Sequence, residues 1–164
     1  MNNSSFDLIR KWYDVGANVV PLKDGTKRPI GNWKQWQSRR QNEEEFLAFP
    51  WEEATGAAVI NGPCRWHSID IDECDDKSFV DELLDQLDLS PQYQWVVRSG
   101  GGFHIWFHGA EQSDLTVEKF NSTDPRCKQI ELRWAGSYTA IPPSMHPSGD
   151  HYTFLNEPGP RPAE

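Results

Sequence analysis

The sequence predicts an α+β fold, with a mixed sheet and a few helices packed on one side. Three observations carry this. Short runs of alternating apolar and polar residues fill most of the second half of the chain. Apolar residues at helical spacing are confined to a few short stretches. Gly- and Pro-rich turn signals separate the runs, and strand-rich stretches with segregated helices are the α+β pattern.

Phe6, Ile9, Trp12 and Tyr13 recur at helical spacing, which predicts an amphipathic helix over about 5–15. Asn18 to Leu22 reads as a short strand. The segment 23–41 is basic, aromatic and irregular; its Trp33 and Trp36 suit anchoring to the core better than stacking on a base. Asn42-x-x-Glu45 is a capping-box start for a helix carrying Phe46, Leu47 and Phe49, which Pro50 ends. Ala57 to Asn61 and Arg65 to Asp72 read as a hairpin turning at Gly62-Pro63. Asp75 or Asp76 caps a helix whose Phe79, Val80, Leu83, Leu84 and Leu87 form one apolar stripe, a core-packing pattern. Further strands are expected near 94–98, 103–108, 129–134, 137–141 and 151–155, with a short helix from Leu115 to Phe120.

Asp70 and Asp72 lie two residues apart inside the apolar strand Ser68-Ile69-Asp70-Ile71-Asp72. Side chains alternate along a strand, so both carboxylates share one face, only ~7 Å apart, while Ile69 and Ile71 face the core. A divalent cation that prefers oxygen ligands, Mg²⁺ or Mn²⁺, would relieve their repulsion. Phe103 to His108 also alternates and follows the glycine run Gly100-Gly101-Gly102, so His104 leaves a Gly-rich turn on the non-core face. Gln129 to Trp134 alternates again, with Ile130, Leu132 and Trp134 inward and Gln129, Glu131 and Arg133 outward. If the three strands share a sheet, Asp70, Asp72, His104, Glu131 and Arg133 converge. Carboxylates that hold metal, with His, Arg and backbone donors for phosphate oxygens, are the parts of a metal-assisted phosphoryl-transfer site. A His104/His108/carboxylate iron triad is disfavoured by the wide spacing of the two imidazoles.

Taken in order, these segments resemble the N-terminal primase-polymerase (prim-pol) domain of the archaeo-eukaryotic primase superfamily. The resemblance runs through Gly16-Ala17-Asn18-Val19-Val20-Pro21-Leu22 with Lys27-Arg28-Pro29 and Trp33, and through Asp70-x-Asp72. It continues in Ser99-Gly100-Gly101-Gly102-Phe103-His104, which has one more glycine than the family pattern, and in Ile130-Glu131-Leu132-Arg133. It ends in Pro142-Pro143-Ser144-x-His146-Pro147-Ser148-Gly149 and Tyr152. The resemblance implies an RRM-like catalytic core joined to a smaller α/β lobe. It implies Asp70, Asp72 and Glu131 as catalytic metal ligands for Mg²⁺ or Mn²⁺, the third position often being Asp in the family. It implies His104 on the phosphates of the incoming nucleotide, beside Ser99 and the glycines. Arg133, Ser144 and His146 are weaker candidates for triphosphate or sugar contacts. Lys27 and Arg28 could reach a phosphate or equally be solvated loop charges. The implied activity is that of a DNA primase and/or template-directed polymerase in replication of a phage, plasmid or mobile element. Its implied partners are a single-stranded DNA template, a primer and NTP or dNTP.

At 164 residues the chain is expected to form one catalytic domain over 1–156, followed by a Pro-rich linker or tail over 157–164. No apolar run is long enough to span a bilayer, the polar N-terminus lacks a signal-peptide core, and the odd set Cys64, Cys74 and Cys127 reads as free thiols; a cytoplasmic protein is expected. The net charge of -9 argues against a strong grip on DNA by this domain alone, so a larger parent protein with a helicase is expected to supply it. The positive candidates are Lys23, Lys27, Arg28, Lys34, Arg39 and Arg40. The same acidity, with Glu131, motivates the alternative of a catalytically silent module that binds nucleic acid or a partner.

Overall fold

Strand pairing dominates the computed structural model, which describes residues 1–23, 25–109 and 115–164. A small three-stranded sheet contains β1 (Val19–Leu22), β2 (Gly56–Ile60) and β8 (Tyr138–Ile141) in the order β1-β2-β8. A larger sheet contains β3 (Trp66–Asp72), β4 (Val96–Arg98), β5 (Gly102–His108), β6 (Val117–Asn121), β7 (Gln129–Arg133) and β9 (Thr153–Phe154). Its order is β6-β7-β3-β5-β4-β9. The α+β class is as expected; the strands divide between two sheets, and each pairing among the described residues is antiparallel.

The expected hairpin between 57–61 and 65–72 does not form, because β2 and β3 belong to different sheets. Gly62, Cys64 and Arg65 all take positive φ, 101°, 59° and 67°, and this turns the chain out of the small sheet into the large one. The expected helix at Leu115–Phe120 is also corrected: Val117–Asn121 is the edge strand β6, paired with β7. Its partners on β7 supply the backbone hydrogen bonds, and its own side chains are mostly exposed.

Helix α1 (Asn3–Asp14) starts at Asn2, whose side chain accepts the Ser5 N–H at 2.8 Å. Helix α2 (Glu43–Leu47) carries the capping box, with Asn42 and Glu45 each satisfying the other's backbone N–H. Helix α3 (Lys77–Gln86) is capped by Asp76. It packs Val80 and Leu84 on one face of the large sheet, against Ile69, Ile71, Phe103 and Ile105.

The opposite face of that sheet is not open water. Trp66, Trp95, Trp106 and Trp12 of α1 pack there as one aromatic cluster, with centroids 4.8–6.2 Å apart. Such contacts contribute about 0.5–1.5 kcal/mol per pair beyond area burial. The apolar side of the small sheet joins the same core. Trp106, expected on the non-core face, is therefore fully buried in a second core. Trp36 is buried there too, while Trp33 packs its ring edge-on against Tyr138 at 4.9 Å. Residues 157–164 lie against the body: the Ala163 N–H donates to the Tyr93 hydroxyl at 2.7 Å, and the His108 N–H donates to the Ala163 carbonyl at 2.8 Å.

Candidate active site

Register places the charged residues side by side. On β3, Asp70 lies opposite His104 of β5 and opposite Glu131 of β7, and Glu131 lies opposite Lys119 of β6. Alternation puts all four side chains, with Asp72 and Arg133, on the face that carries the tryptophan cluster. Trp106 and Trp66 fill one end of that face, and the charged row occupies the other. The small sheet stands over the row and is tied to it by two contacts. The hydroxyls of Ser68 and Thr139 are 2.9 Å apart, and Arg133 donates to the Tyr138 carbonyl at 3.1 Å. Between the sheets lies a cavity of about 230 Å³ bordered by Lys27, Asp70, His104, Arg133, Tyr138 and Tyr152.

The row is densely paired. His104 Nε2 sits 3.3 Å from one Asp70 oxygen, and Arg133 Nη2 sits 2.8 Å from the other. The same Arg133 nitrogen is 2.7 Å from Glu131, which also meets Lys119. Asp70 and Glu131 are almost fully buried, so unpaired charge there would be costly. Burial alone would raise the Asp70 carboxyl, but His104 and Arg133 outweigh it and hold it at about 2. Asp72 behaves oppositely: burial, then the negative charge of Asp70, push its carboxyl up. Among the described residues it has no ion-pair partner.

Other expected residues fall into two groups. His146 reaches the site's edge: its ring and that of His104 flank Tyr152, at 5.8 and 5.5 Å, and burial pushes its imidazole down. Gly100 packs so closely on His146 and Ser148 that a Cβ there would lie 2.4 Å from the Ser148 hydroxyl, so any side chain would require these neighbours to shift. Gly102 pairs with Asp72, and a Cβ on it would strike the Ile71 carbonyl. Ser99 and Gly101 are used within the turn itself, the Gly101 N–H donating to Ser99 Oγ at 3.3 Å. Ser144 is elsewhere: its hydroxyl accepts the Ala57 N–H at 2.8 Å and donates to the Ala57 carbonyl at 3.0 Å, locking β2. His108 lies at the far end of β5, opposite Trp66, and contacts the Cys64 carbonyl through Nε2 at 2.9 Å.

Sequence reasoning passed over Tyr138 and Thr139, which line the cavity, and gave Tyr152 no role beyond its place in a motif. A strand near 137–141 was expected, but nothing local said that it would stand over the charged row.

Residues 10–164 match the Prim-Pol family, described as bifunctional DNA primase/polymerase, N-terminal. The chain belongs to the Prim-Pol family. No curated protein matches it significantly. Membership in Prim-Pol implies DNA and nucleotides as substrates. Prim-Pol proteins are generally metal-dependent. Among the described residues, no group of three or more His, Cys, Asp or Glu side chains is already drawn together around a point that would hold a metal ion. The donor chemistry nevertheless fits a hard divalent cation. Three carboxylates share one sheet face, and Asp72 carries a charge its surroundings oppose. Among the described residues, no helix is long and apolar enough to cross a membrane.

Proposed function

We propose that this Prim-Pol domain transfers nucleotides, acting as a DNA primase and/or template-directed polymerase, with the chemistry on the front of the large sheet. The observation that carries this reading is the cross-strand row His104–Asp70–Glu131, with Asp72 beside it, on the floor of a cavity whose wall holds Lys27. Asp70, Asp72 and Glu131 would hold Mg²⁺ or Mn²⁺, which supplies charge neutralisation at the attacking and leaving oxygens of an in-line displacement.

The protein's own groups do the rest. Lys27 borders the cavity as an exposed ammonium and places positive charge where a triphosphate would enter. His104 is fixed through Nε2 by Asp70, which leaves its buried Nδ1, unpartnered among the described residues, for a ligand. Arg133 holds the Asp70 and Glu131 carboxylates in register and so positions them for the reaction. His146 sits at the edge beyond Tyr152, suited to a phosphate or sugar. Small residues at Gly100 and Gly102 let the two motif loops and the neighbouring strand close around the site. Positioning and electrostatics supply most of such a reaction.

In this reading the partners are a single-stranded DNA template, a primer and NTP or dNTP. The catalytic domain spans 1–156 and 157–164 is its tail. The domain works in the cytoplasm for a phage, plasmid or mobile element, within a larger replication protein carrying a helicase. One observation favours a second reading, a silent binding module: Arg133 already spans Asp70 and Glu131 as a cation would. Nucleotide addition decides between them. The purified protein is given primed and unprimed templates, rNTPs or dNTPs, and Mg²⁺ or Mn²⁺, beside Asp70→Asn. Products that vanish in the variant support catalysis. De novo products mean priming, and primer-dependent ones mean extension. Absence of product under every condition supports the silent module.

A further inference from the structure

The chain has a net charge of -9, yet from Gly25 to Asn42 it contains no acidic residue and five cations, Lys27, Arg28, Lys34, Arg39 and Arg40. Most cations elsewhere are neutralised: Lys77, Arg98 and Arg126 around α3 all meet carboxylates. Two of the five in this segment are also occupied. Arg39 pairs with Glu45, and Arg40 donates to the carbonyls of Ala17 and Tyr13. Lys27, Arg28 and Lys34 are exposed and make no ion pair among the described residues.

The segment is held firmly at both ends. The Lys23 N–H donates to the Arg28 carbonyl at 2.8 Å, and the Ile30 N–H donates to the Pro21 carbonyl at 2.8 Å, extending β1 as a turn. Further on, the buried Asn18 amide donates to the carbonyls of Trp36 and Arg39 at 2.7 and 2.8 Å. Its position is equally defined: Lys27 borders the cavity, and Trp33 lies against Tyr138, which borders it too. Trp33 is only partly buried. Exposed cations in one short segment, one of them bordering a cavity, with a partly exposed aromatic ring among them, suit single-stranded nucleic acid. Cations track the backbone, and a ring stacks a base without regard to sequence.

We infer that the lip formed by residues 25–34 is the surface on which the single-stranded template lies, Arg28 and Lys34 on its phosphates and Trp33 against a base. The inference rests on the nucleotidyl-transfer reading for what it serves, but it makes its own prediction. The concentrated charge on this lip would let an acidic protein hold an anionic strand close to the cavity while its other surfaces repel it.

The test is fluorescence anisotropy of a labelled oligo(dT) across a salt series. Arg28→Gln/Lys34→Gln is expected to weaken binding on the order of tenfold and to flatten the log K against log[salt] slope by about 1.4, as loss of two single-strand phosphate contacts requires. Trp33→Leu is expected to weaken binding on the order of tenfold with the slope unchanged, as loss of one stacked base requires. Lys11→Gln/Lys77→Gln, the same change in net charge placed on helices α1 and α3, should leave both quantities alone. Lip variants that bind as the unaltered protein does, helix variants that lose as much, or no binding by the unaltered protein would each overturn the proposal. Primer extension in parallel separates the two claims. Extension with unaltered binding in the lip variants removes the lip and leaves transfer standing. Lip-dependent binding without any nucleotide addition keeps the lip and removes transfer.

Discussion

Strand β3 passes between two environments that differ completely. On its back, Ile69 and Ile71 pack with Val80 and Leu84 of α3 in an apolar layer. On its front, Ser68, Asp70 and Asp72 meet hydroxyl, imidazole, guanidinium and carboxylate groups. The back follows the hydrophobic rule, and its residues serve stability. The front concentrates three carboxylates in a partly dry setting, at a cost that only compensating cations reduce. One strand thus divides the work of folding from the work of the site, and substitutions on its two faces should fail in different ways.

The largest expected effect is at Asp70, where the two kinds of work meet. Asp70→Asn keeps the shape but takes the anion from His104 and leaves Arg133 with Glu131 alone. Nucleotide addition should fall on the order of 10³-fold, and denaturant unfolding should show a loss of about 3–5 kcal/mol. Ordinary turnover in this variant would place the chemistry away from the front of β3. Leu84→Ala addresses the back alone. Chemical denaturation should register a loss of about 2–5 kcal/mol, while turnover per folded molecule stays the same.

His67 also lies on the back, buried, with both ring nitrogens unpartnered among the described residues and its ring stacked on Trp134 at 4.8 Å. Burial pushes its imidazole down from 6.5 to about 4, with the charges of His108 and Arg65 adding to the effect. Between those two values the unfolded chain binds a proton that the folded one refuses. The stability tied to a neutral His67 is therefore fully present above pH 6.5 and drains away as the pH falls towards 4, by about 3 kcal/mol in all. His67→Leu should flatten that limb of the stability profile; an unchanged limb would assign it to other groups. Asp70, held at about 2, adds a separate loss only as the pH falls below its usual carboxylate range. The smallest effect is expected at the exposed edge of the front. Lys119→Gln removes one of the two cations on Glu131, and because Lys119 is largely exposed, unfolding should shift by no more than about 1 kcal/mol.

Much of the front was legible because alternation is a local signal. Asp70, then His104, then Glu131 and Arg133, each sit between apolar residues that fix which way they point, and Asp72 follows Ile71 in the same alternation. Pairing of β3 with β5 and β7 brought these residues together as that pattern required. What stayed hidden was non-local. Gly62-Pro63 reads as a hairpin turn, and only the left-handed backbone at Cys64 and Arg65 sends the chain to another sheet. Strand β6 faces solvent on most of its length, so it has no apolar alternation to announce it. The burial of Trp106 depends on α1 and the small sheet arriving from elsewhere in the chain. Ser144 sits within the motif that supplied His146, yet its hydroxyl is spent on Ala57; sequence spacing cannot distinguish a residue that faces the cavity from one that braces it.

Asp72 gives the most direct test, because it is the carboxylate that the fold least needs. Its charge is opposed by burial and by Asp70, and among the described residues no ion pair compensates it. Asp72→Asn should therefore unfold at the same temperature as the unaltered protein or higher, while losing nucleotide addition in both Mg²⁺ and Mn²⁺. Thermal unfolding and primer extension on one preparation measure both. Stability kept with activity lost is the expected result. Full activity in Asp72→Asn would contradict it and move the chemistry away from the front of β3.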